Sequence, residues 1–352
     1  MPTTRKAALW SLLGAALLMI LLAGCNGDLP QSTVSPTTTN TRDMQFLYKI
    51  IFWVAAGVFV LVEGLLVYAV VRFRRKPNDP MPKQIHGNRT LEILWTVIPA
   101  VILVGVAVPT WQKVFSLAGP PPADALRVEV IGHQWWWEFR YPDQGFATAN
   151  EMRVPAGRPI SLEITSKDVI HSFQAPKLFQ KMDVLPGKVR NVVFTPEQDG
   201  EYHGQCFELC GDGHADMRFR IFVLSAGDFD AWIAKHKTVP QVTDDLAKQG
   251  QRIFQTKVFQ TQPGTPALYG STPRWGCVAC HTVGAAGAAI GPNLTYLGER
   301  TTLAGAIMPN TPENLAAWIR NPQQQKPGAL MPRLGLSEYE VEAVVAFLES
   351  MK

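Results

Sequence analysis

The segment from Cys206 to Met217 concentrates two thiols, an imidazole and a thioether in one short stretch, CFELCGDGHADM. Thiolate and thioether sulfurs are soft ligands that suit copper, and imidazole suits copper as well. Because both cysteines lie in the same short loop, their sulfurs can bridge a pair of metal ions. The pattern C-x3-C-x3-H-x2-M therefore predicts a copper site that carries electrons.

Two other interpretations of this segment remain open at the level of sequence. Cys206 and Cys210 could form a small-loop disulfide in an oxidising compartment. A structural zinc site would normally take four Cys or His ligands, and methionine is a poor zinc ligand. A copper site also needs a second imidazole, for which His171, in the segment DVIHSF, is the best candidate.

A second motif, Cys277-Val278-Ala279-Cys280-His281, has the form C-x-x-C-H. This form is typical of covalent attachment of a c-type haem, in which the two thiols add to the haem vinyl groups and the imidazole ligates iron. A thioredoxin-like C-x-x-C would need a βαβ setting, which the flanking sequence lacks. The motif therefore predicts a bound haem c.

The second axial iron ligand is expected to be a methionine, because no histidine follows His281. Methionine ligation raises the reduction potential of a haem. We favour Met331, which lies in an extended loop, KPGALMP, just before a capped last helix. Met308 remains the alternative, and Met351 is expected to be frayed at the chain end.

The N-terminus has the features of an export signal. Two basic residues precede an apolar run that ends in Leu22-Ala23-Gly24-Cys25, as in a secretory signal. The ending resembles the lipobox of bacterial lipoproteins, which implies a signal peptide over residues 1–24 and lipidation of Cys25. The alternative is an uncleaved signal or first membrane helix with an incidental cysteine. Both interpretations place the chain outside the cytoplasm.

Two apolar stretches follow a polar linker at residues 25–43. They run over residues 44–71 and from 91 to about 108, and each is long enough to span a bilayer. The sequence therefore predicts a transmembrane hairpin within residues 44–115. The loop between the stretches is rich in arginine and lysine, so the positive-inside rule makes it cytoplasmic. The rest of the chain is then expected on the periplasmic or outer face of a bacterial cell membrane.

Two carboxylates fall within these spans. Glu63 could face a partner helix or be a polar position near the cytoplasmic end. Glu92, at the start of the second span, is most simply a solvated interfacial group.

The remainder of the chain divides into a β-rich and a helical part. Short alternating runs separated by Gly and Pro predict an all-β sandwich over residues 126–226. A linker is expected at 227–243. Helical periods with capping signals at Thr311-Pro312 and Ser337-x-x-Glu340 predict a helical domain over 244–352. At 352 residues and a formal net charge of +4, the chain suggests several domains and gives no reason to expect a nucleic acid partner.

These motifs together resemble subunit II of the haem–copper cytochrome c oxidases, in the bacterial form with a fused C-terminal cytochrome c. The resemblance covers residues 25–352. It implies a multidomain fold with a transmembrane α-hairpin, an all-β cupredoxin-like sandwich and an all-α cytochrome c domain. It also implies two cofactors, the dinuclear copper centre CuA and haem c, with a magnesium or manganese ion at the interface with subunit I.

The resemblance implies roles for particular residues. For CuA it implies the ligands His171, Cys206, Glu208 (through its carbonyl), Cys210, His214 and Met217. The side chain of Glu208 matches a residue that reaches the interface ion. Trp135 matches the electron-entry residue, although the next aromatic is Trp136 where many relatives carry Tyr. Glu92 matches a residue at the mouth of a proton path, and Pro292 matches the residue whose carbonyl orients the haem histidine.

The function implied is the electron-entry subunit of a proton-translocating oxidase. It would pass electrons from a donor, via haem c and CuA, to an oxygen-reducing subunit I. Expected partners are the other oxidase subunits, membrane lipid, and a donor that is cytochrome c, another periplasmic carrier or a quinol-oxidising complex. We expect the fused haem to be the main acceptor for that donor. The alternative is a stand-alone membrane-anchored electron carrier or copper-delivery protein, but two spans favour permanent packing against a larger subunit.

Overall fold

The computed structural model describes residues 29–261 and 274–352, except for positions 76, 78, 79 and 82, and it also describes residue 14. Apart from residue 14, the predicted signal peptide lies outside the described residues, and so does Cys25, the predicted lipidation site.

Two long helices form the N-terminal part of the described chain, α1 (Thr39–Arg72) and α2 (Arg89–Leu117). Their apolar windows have mean hydropathies of 2.5 and 2.4, and none of those residues is buried within the chain. Helix α1 begins earlier than the apolar stretch, because Thr38 and Thr41 form a capping box ahead of it. Both helices are therefore long and apolar enough to cross a membrane.

One end of the hairpin is tied to the β-rich domain. Lys113 of α2 forms an ion pair with Asp43 of α1 at 2.8 Å, and Arg42 pairs with Glu197 of the β-rich domain. The hydroxyl of Thr38 donates to the carbonyl of a buried leucine in that domain at 2.8 Å. The basic loop between the helices consequently lies at the end away from the β-rich domain.

The β-rich domain is a sandwich of two five-stranded sheets. The strands are β1 (Leu126–His133), β2 (Trp136–Tyr141), β3 (Phe146–Ala149), β4 (Glu151–Pro155), β5 (Ile160–Ser166), β6 (His171–Gln174), β7 (Met182–Val184), β8 (Arg190–Phe194), β9 (Gly200–Cys206) and β10 (Arg218–Leu224). One sheet has the order β3-β2-β1-β5-β8 and the other β4-β10-β9-β6-β7.

Aromatic rings fill the space between the two sheets. Phe173 of β6 stacks on Phe219 of β10 with ring centroids 4.1 Å apart, and Trp137 of β2 meets Phe173 edge-on at 4.8 Å. Gly204 lies against the Phe219 ring so closely that a Cβ would approach it to 2.1 Å. This packed core sets the positions of the strand ends that carry the predicted copper ligands.

A helix, α3 (Ala226–Lys235), occupies part of the segment expected to be a linker. Its hydroxyl cap is Ser225, and it buries Phe229 and Trp232 against the sandwich core. The apolar positions are three residues apart, so a single helical face covers the sandwich.

The C-terminal domain is built mainly from helices around its own core. They are α4 (Asp245–Thr256), α5 (Pro312–Arg320), α6 (Pro322–Gln325) and α7 (Glu338–Ser350), with two short two-stranded ladders, β11 (Phe259–Gln260) with β12 (Arg274–Trp275) and β13 (Thr302–Leu303) with β14 (Met308–Pro309). The predicted caps at Thr311 and Ser337 are both present.

Helices α4 and α7 approach most closely at Gly250. A Cβ at this position would lie 1.8 Å from the carbonyl oxygen of Ala343, so only glycine allows the two backbones to meet.

We therefore expect Gly250→Ala to destabilise the C-terminal domain by about 1–3 kcal/mol, as overpacked core substitutions do. Gly227→Ala is the matched control, because a Cβ there meets nothing within 4 Å. Amide hydrogen exchange in α7 measures the effect. Equal exchange in the two variants would contradict the close contact.

Candidate metal centre and haem cavity

The predicted copper ligands come from three neighbouring strands of one sheet. His171 begins β6, Cys206 ends β9, and Met217 directly precedes β10. Cys210 and His214 lie in the turn between β9 and β10. Since β10, β9 and β6 are adjacent in the sheet, their ends bring five potential ligands to one end of the sandwich.

The ligand atoms lie close together. The two sulfurs, Cys206 Sγ and Cys210 Sγ, are 3.8 Å apart. His171 Nδ1 is 4.0 Å from Cys206 Sγ, and His214 Nδ1 is 3.7 Å from Cys210 Sγ. Met217 Sδ lies 3.8 Å from Cys210 Sγ. Each thiol therefore has its own imidazole, and the thioether adjoins the second thiol.

The donor set fits copper better than the alternatives. A disulfide would need the sulfurs at about 2.05 Å, whereas both cysteines are free and buried. His171, Cys206 and Cys210 place one ligand atom each within 4.8 Å of one another. Two thiolates, two imidazoles and a thioether are the soft and borderline ligands that suit copper, and the thioether disfavours zinc.

The two thiols differ in their tendency to ionise. The hydrogen bond between the two thiols lowers the pKa of Cys206 to about 3. The same interaction, together with burial, raises the pKa of Cys210. The cavity thus favours at least one thiolate, the form that binds metals.

Asp168 fixes the ring of His171. Its Oδ1 lies 2.8 Å from His171 Nε2, so that Nδ1 is left facing Cys206. Although burial favours the neutral imidazole, the hydrogen bond to Asp168 raises the pKa of His171. A carboxylate on the outer ring nitrogen is the arrangement that orients metal-binding histidines. Asp168 also accepts a hydrogen bond from the main-chain amide of Gln134 at 2.6 Å.

Glu208 lies beside the thiols in two ways. Its carbonyl oxygen is 3.2 Å from Cys206 Sγ, within reach of an ion held by that sulfur. Its carboxylate points outward, half exposed, with Lys181 at 3.5 Å. The main chain of Glu208 therefore adjoins the metal centre while its side chain stays at the surface.

Trp135 packs against the loop that carries Cys210 and His214. Its indole Nε1 donates to the Cys210 carbonyl at 3.0 Å, and the side-chain Nε2 of Gln134 donates to the same oxygen at 2.7 Å. The ring packs on Gly213, where a Cβ would approach it to 2.6 Å. Trp135 is only 9% exposed, so it is part of the protein interior rather than an open surface.

The C-x-x-C-H motif lies at the wall of a cavity that is lined mainly by residues of the C-terminal domain. His281 Nδ1 is 2.9 Å from the Pro292 carbonyl, which fixes the ring and leaves Nε2 for a metal. Burial lowers the pKa of His281 and raises that of Cys277 to about 12. Cys277, Cys280 and His281 all line the cavity, as a covalently attached haem requires.

The methionines separate clearly in the structure. Met331 lines the same cavity as His281, and its loop is held by Gln323, whose Nε2 donates to the Met331 carbonyl at 2.6 Å. Met308 packs against the domain core instead. Met351, expected to be frayed, is 1% exposed and belongs to that core. This expectation was wrong because the Gly298 amide donates to the Met351 carbonyl at 2.9 Å, which ties the chain end to the domain.

The cavity lined by the C-x-x-C-H motif, here called the haem cavity, adjoins the copper loop, which is the segment Cys206–Met217. Besides haem-domain residues, the cavity is lined by Gln134, Trp135 and Trp136 of the sandwich. Trp136 stacks on His133 with ring centroids 4.1 Å apart. Trp135 therefore lies between the ligand-bearing loop and the cavity.

Three buried charged residues near this junction were missed in the sequence: Glu151, Arg300 and Lys326. The segment around Lys326 reads QKPG, which is typical of an exposed turn. Contacts between the two domains surround Glu151 and Lys326, whereas Arg300 donates to the Asn293 carbonyl of its own domain.

The two carboxylates in the membrane hairpin are both exposed within this chain. Glu92 lies in the first turn of α2, which Asn88 caps. Glu63 lies along α1, away from the copper and haem sites. Neither carboxylate contacts those sites.

Family models match three successive parts of the chain. Residues 30–112 match the transmembrane domain of cytochrome c oxidase subunit II, residues 144–226 match the periplasmic domain of the same protein, and residues 247–352 match cytochrome c.

Curated relatives match over nearly the whole length. Cytochrome c oxidase subunit 2 of Alkalihalophilus pseudofirmus is 35% identical over 345 residues, which is 96% of this chain and 95% of that protein. The Bacillus subtilis protein of the same name is 34% identical and covers 96% of each chain. Among solved structures, the periplasmic domain of subunit II of cytochrome oxidase from Bradyrhizobium japonicum is 33% identical, covering 34% of this chain and 97% of that chain with a TM-score of 0.33.

The contact between Asp168 and His171 generates a prediction about copper binding. We expect Asp168→Asn to lower copper affinity by roughly 10–100-fold, as loss of an orienting carboxylate usually does. Competition with a copper chelator measures the affinity. Asp143→Asn, at an exposed turn, is the control. Equal affinity in both variants would show that Asp168 does not orient the ligand.

The position of Met331 generates a prediction about the haem potential. We expect Met331→Leu to lower the reduction potential of the haem, because methionine ligation raises it. Met308→Leu should leave the potential near that of the unaltered protein. Redox titration followed by haem absorbance tests both variants, and a lowered potential only in the Met308 variant would reverse the assignment.

Proposed function

Because the chain belongs to the cytochrome c oxidase subunit II family, we propose that it is the electron-entry subunit of a proton-translocating haem–copper oxidase. In this role it receives electrons from an external donor and delivers them to the subunit that reduces oxygen. The oxygen chemistry lies in that other subunit.

One observation carries the proposal: two buried thiols, two imidazoles and a thioether meet at one end of the sandwich, directly beside a cavity lined by C-x-x-C-H. These residues would hold two copper ions and a covalent haem. When bound, the copper ions and the haem would serve as one-electron carriers. A catalytic pocket for an organic substrate is not needed by this function.

The residues around the copper ligands keep them fixed. Asp168 holds the His171 ring, and Gln134 and Trp135 hold the Cys210 carbonyl. Fixed ligands limit the rearrangement that accompanies each change of charge, and burial keeps water away from the thiolates. The rigid strands behind the loop serve the same purpose.

The haem site is prepared in a similar way. Pro292 orients His281 through its carbonyl, and Gln323 holds the loop that carries Met331 on the cavity wall. These contacts support His281 and Met331 as axial ligands. The thiols of Cys277 and Cys280 would attach the haem to the chain.

We further propose that external donors deliver electrons to the haem domain rather than to the copper loop. Trp135 is 9% exposed, and residues of the haem domain lie against it. A soluble donor therefore has little access to its ring. The haem domain presents its own surface to the solvent and is tethered permanently to the acceptor.

The membrane hairpin supports the oxidase over a stand-alone carrier. Two apolar helices expose their side chains over most of their length, and a simple anchor would need only one helix. We propose that they pack against subunit I, with the basic loop and Glu92 towards the cytoplasm and the sandwich on the periplasmic face. The exposed carboxylate of Glu208 would then face the subunit interface, where it could hold a magnesium or manganese ion.

Metal and spectroscopic analysis tests the cofactor content. We expect the purified full chain to contain two copper ions with a mixed-valence EPR signal and one covalently bound haem c. Purification from native membranes in mild detergent should also recover a large partner subunit. A single copper, zinc in its place, or a monodisperse chain without partner would contradict the proposal.

Trp135→Phe tests the route of electron entry. We expect the donor to reduce the haem at an unchanged rate, because the donor does not contact Trp135, whereas the following reduction of copper slows. Trp53→Phe, at an exposed position of α1, is the control. Stopped-flow absorbance separates the two phases, and a slower first phase would mean that donors act at Trp135.

A further inference from the structure

Lys326 is buried at the contact between the haem domain and the sandwich. It is 3% exposed, and its Nζ donates to the carbonyls of Trp135 at 2.7 Å, Asp216 at 2.7 Å and Ala304 at 3.0 Å. An ammonium has three donors, so all three are used. Among the described residues, no carboxylate lies within ion-pair distance of it.

Two of these carbonyls belong to the copper-binding region. Trp135 donates to the carbonyl of Cys210, and Asp216 directly precedes Met217. The third carbonyl, that of Ala304, belongs to the haem domain. The ammonium of Lys326 therefore connects the haem-domain loop that leads to Met331 with two parts of the sandwich. These are Trp135 and the turn that carries the predicted copper ligands.

A buried carboxylate makes the reverse connection. Glu151 of β4 is fully buried, and its Oε1 accepts hydrogen bonds of 2.8–2.9 Å from the amides and hydroxyls of Thr301 and Thr302 in the haem domain. In addition, the Arg218 amide donates to the Gly305 carbonyl at 3.0 Å. The haem domain thus places a positive charge against carbonyls of the sandwich, and the sandwich places a negative charge against amides and hydroxyls of the haem domain.

The contact is too close to be a loose encounter. A Cβ at Gly305 would lie 2.7 Å from the Asp216 carbonyl oxygen, and one at Gly328 would lie 2.9 Å from Asp212 Cβ. Both glycines have positive φ, 89° and 85°, a conformation that other residues rarely adopt. The haem-domain backbone therefore approaches the copper loop so closely that a side chain at either glycine would collide with it.

We propose that Lys326 is a positioning residue that locks the haem domain onto the copper loop and places a buried positive charge beside the copper centre. This inference rests on the proposed function, since it assumes that copper and haem occupy the two sites. Removing the ammonium would leave three carbonyls without their donor, and buried carbonyls without partners are costly.

The charge also has an electrical consequence. Burial lowers the pKa of Lys326 to about 8, still above neutral pH, and the nearby Asp216 and Cys210 oppose this shift by favouring the ammonium form. A positive charge in a buried site stabilises the reduced, less positive state of a nearby metal centre. Lys326 should therefore raise the reduction potential of the copper site.

The test uses the full chain in detergent with both cofactors bound, and compares Lys326→Met with Lys248→Met, whose lysine is exposed on α4. We expect amide exchange at Thr301 and Thr302 to rise about tenfold or more in Lys326→Met, because the open form of the contact becomes more populated. We also expect the copper reduction potential to fall. The control variant should change neither quantity.

An unchanged exchange rate or an unchanged copper potential in Lys326→Met overturns the proposal. If that variant fails to assemble, Lys326→Gln replaces it, because a glutamine keeps two N–H donors without the charge; its copper potential must still fall. Copper EPR and haem absorbance of the unaltered chain are recorded first. Absence of those signals would refute the proposed function itself. If the signals are present but the Lys326 variants show unchanged amide exchange and copper potential, only the role of Lys326 is refuted.

Discussion

The hydrogen bond from the Trp135 indole to the Cys210 carbonyl is the contact on which the functional half of the structure depends. It joins the copper-binding loop to the segment between β1 and β2. The same tryptophan forms part of the wall of the haem cavity. A single side chain thus belongs to the surroundings of both predicted cofactors.

Its position is maintained from both domains. On the sandwich side, the glycines of the copper loop leave room for the ring, since a Cβ at Gly211 or Gly213 would collide with it. On the haem side, Lys326 bonds its main-chain carbonyl. Burying an ammonium without a carboxylate partner is unfavourable unless every donor is satisfied, and here three carbonyls satisfy it. Such a group tolerates only one arrangement of the two domains, which is what a fixed path for electrons requires.

The membrane hairpin follows a different physical rule. Its helices satisfy their own backbone groups and expose apolar side chains, as segments in lipid or against another apolar subunit must. Contacts between the start of α1 and the sandwich orient the hairpin relative to the cofactor domains. The copper end and the membrane part are therefore one assembly rather than a globular domain on a flexible tether.

The sequence by itself determined the elements whose chemistry is local. The spacing of Cys206, Cys210, His214 and Met217, the C-x-x-C-H motif and the two apolar spans are legible because their meaning lies within a few residues or a continuous run. Helix caps at Thr311 and Ser337 are local for the same reason. The three-part fold could be predicted from these signals together with the family resemblance.

Tertiary structure alone decided what depends on contacts between distant segments. It placed His171 opposite Cys206, put Met331 rather than Met308 on the cavity wall, and buried Met351 in a core. It also turned Lys326 and Glu151, which look like surface residues in the sequence, into buried charges between two domains. Burial is a property of what packs against a residue, and for these two the packing partner lies more than a hundred positions away in the chain.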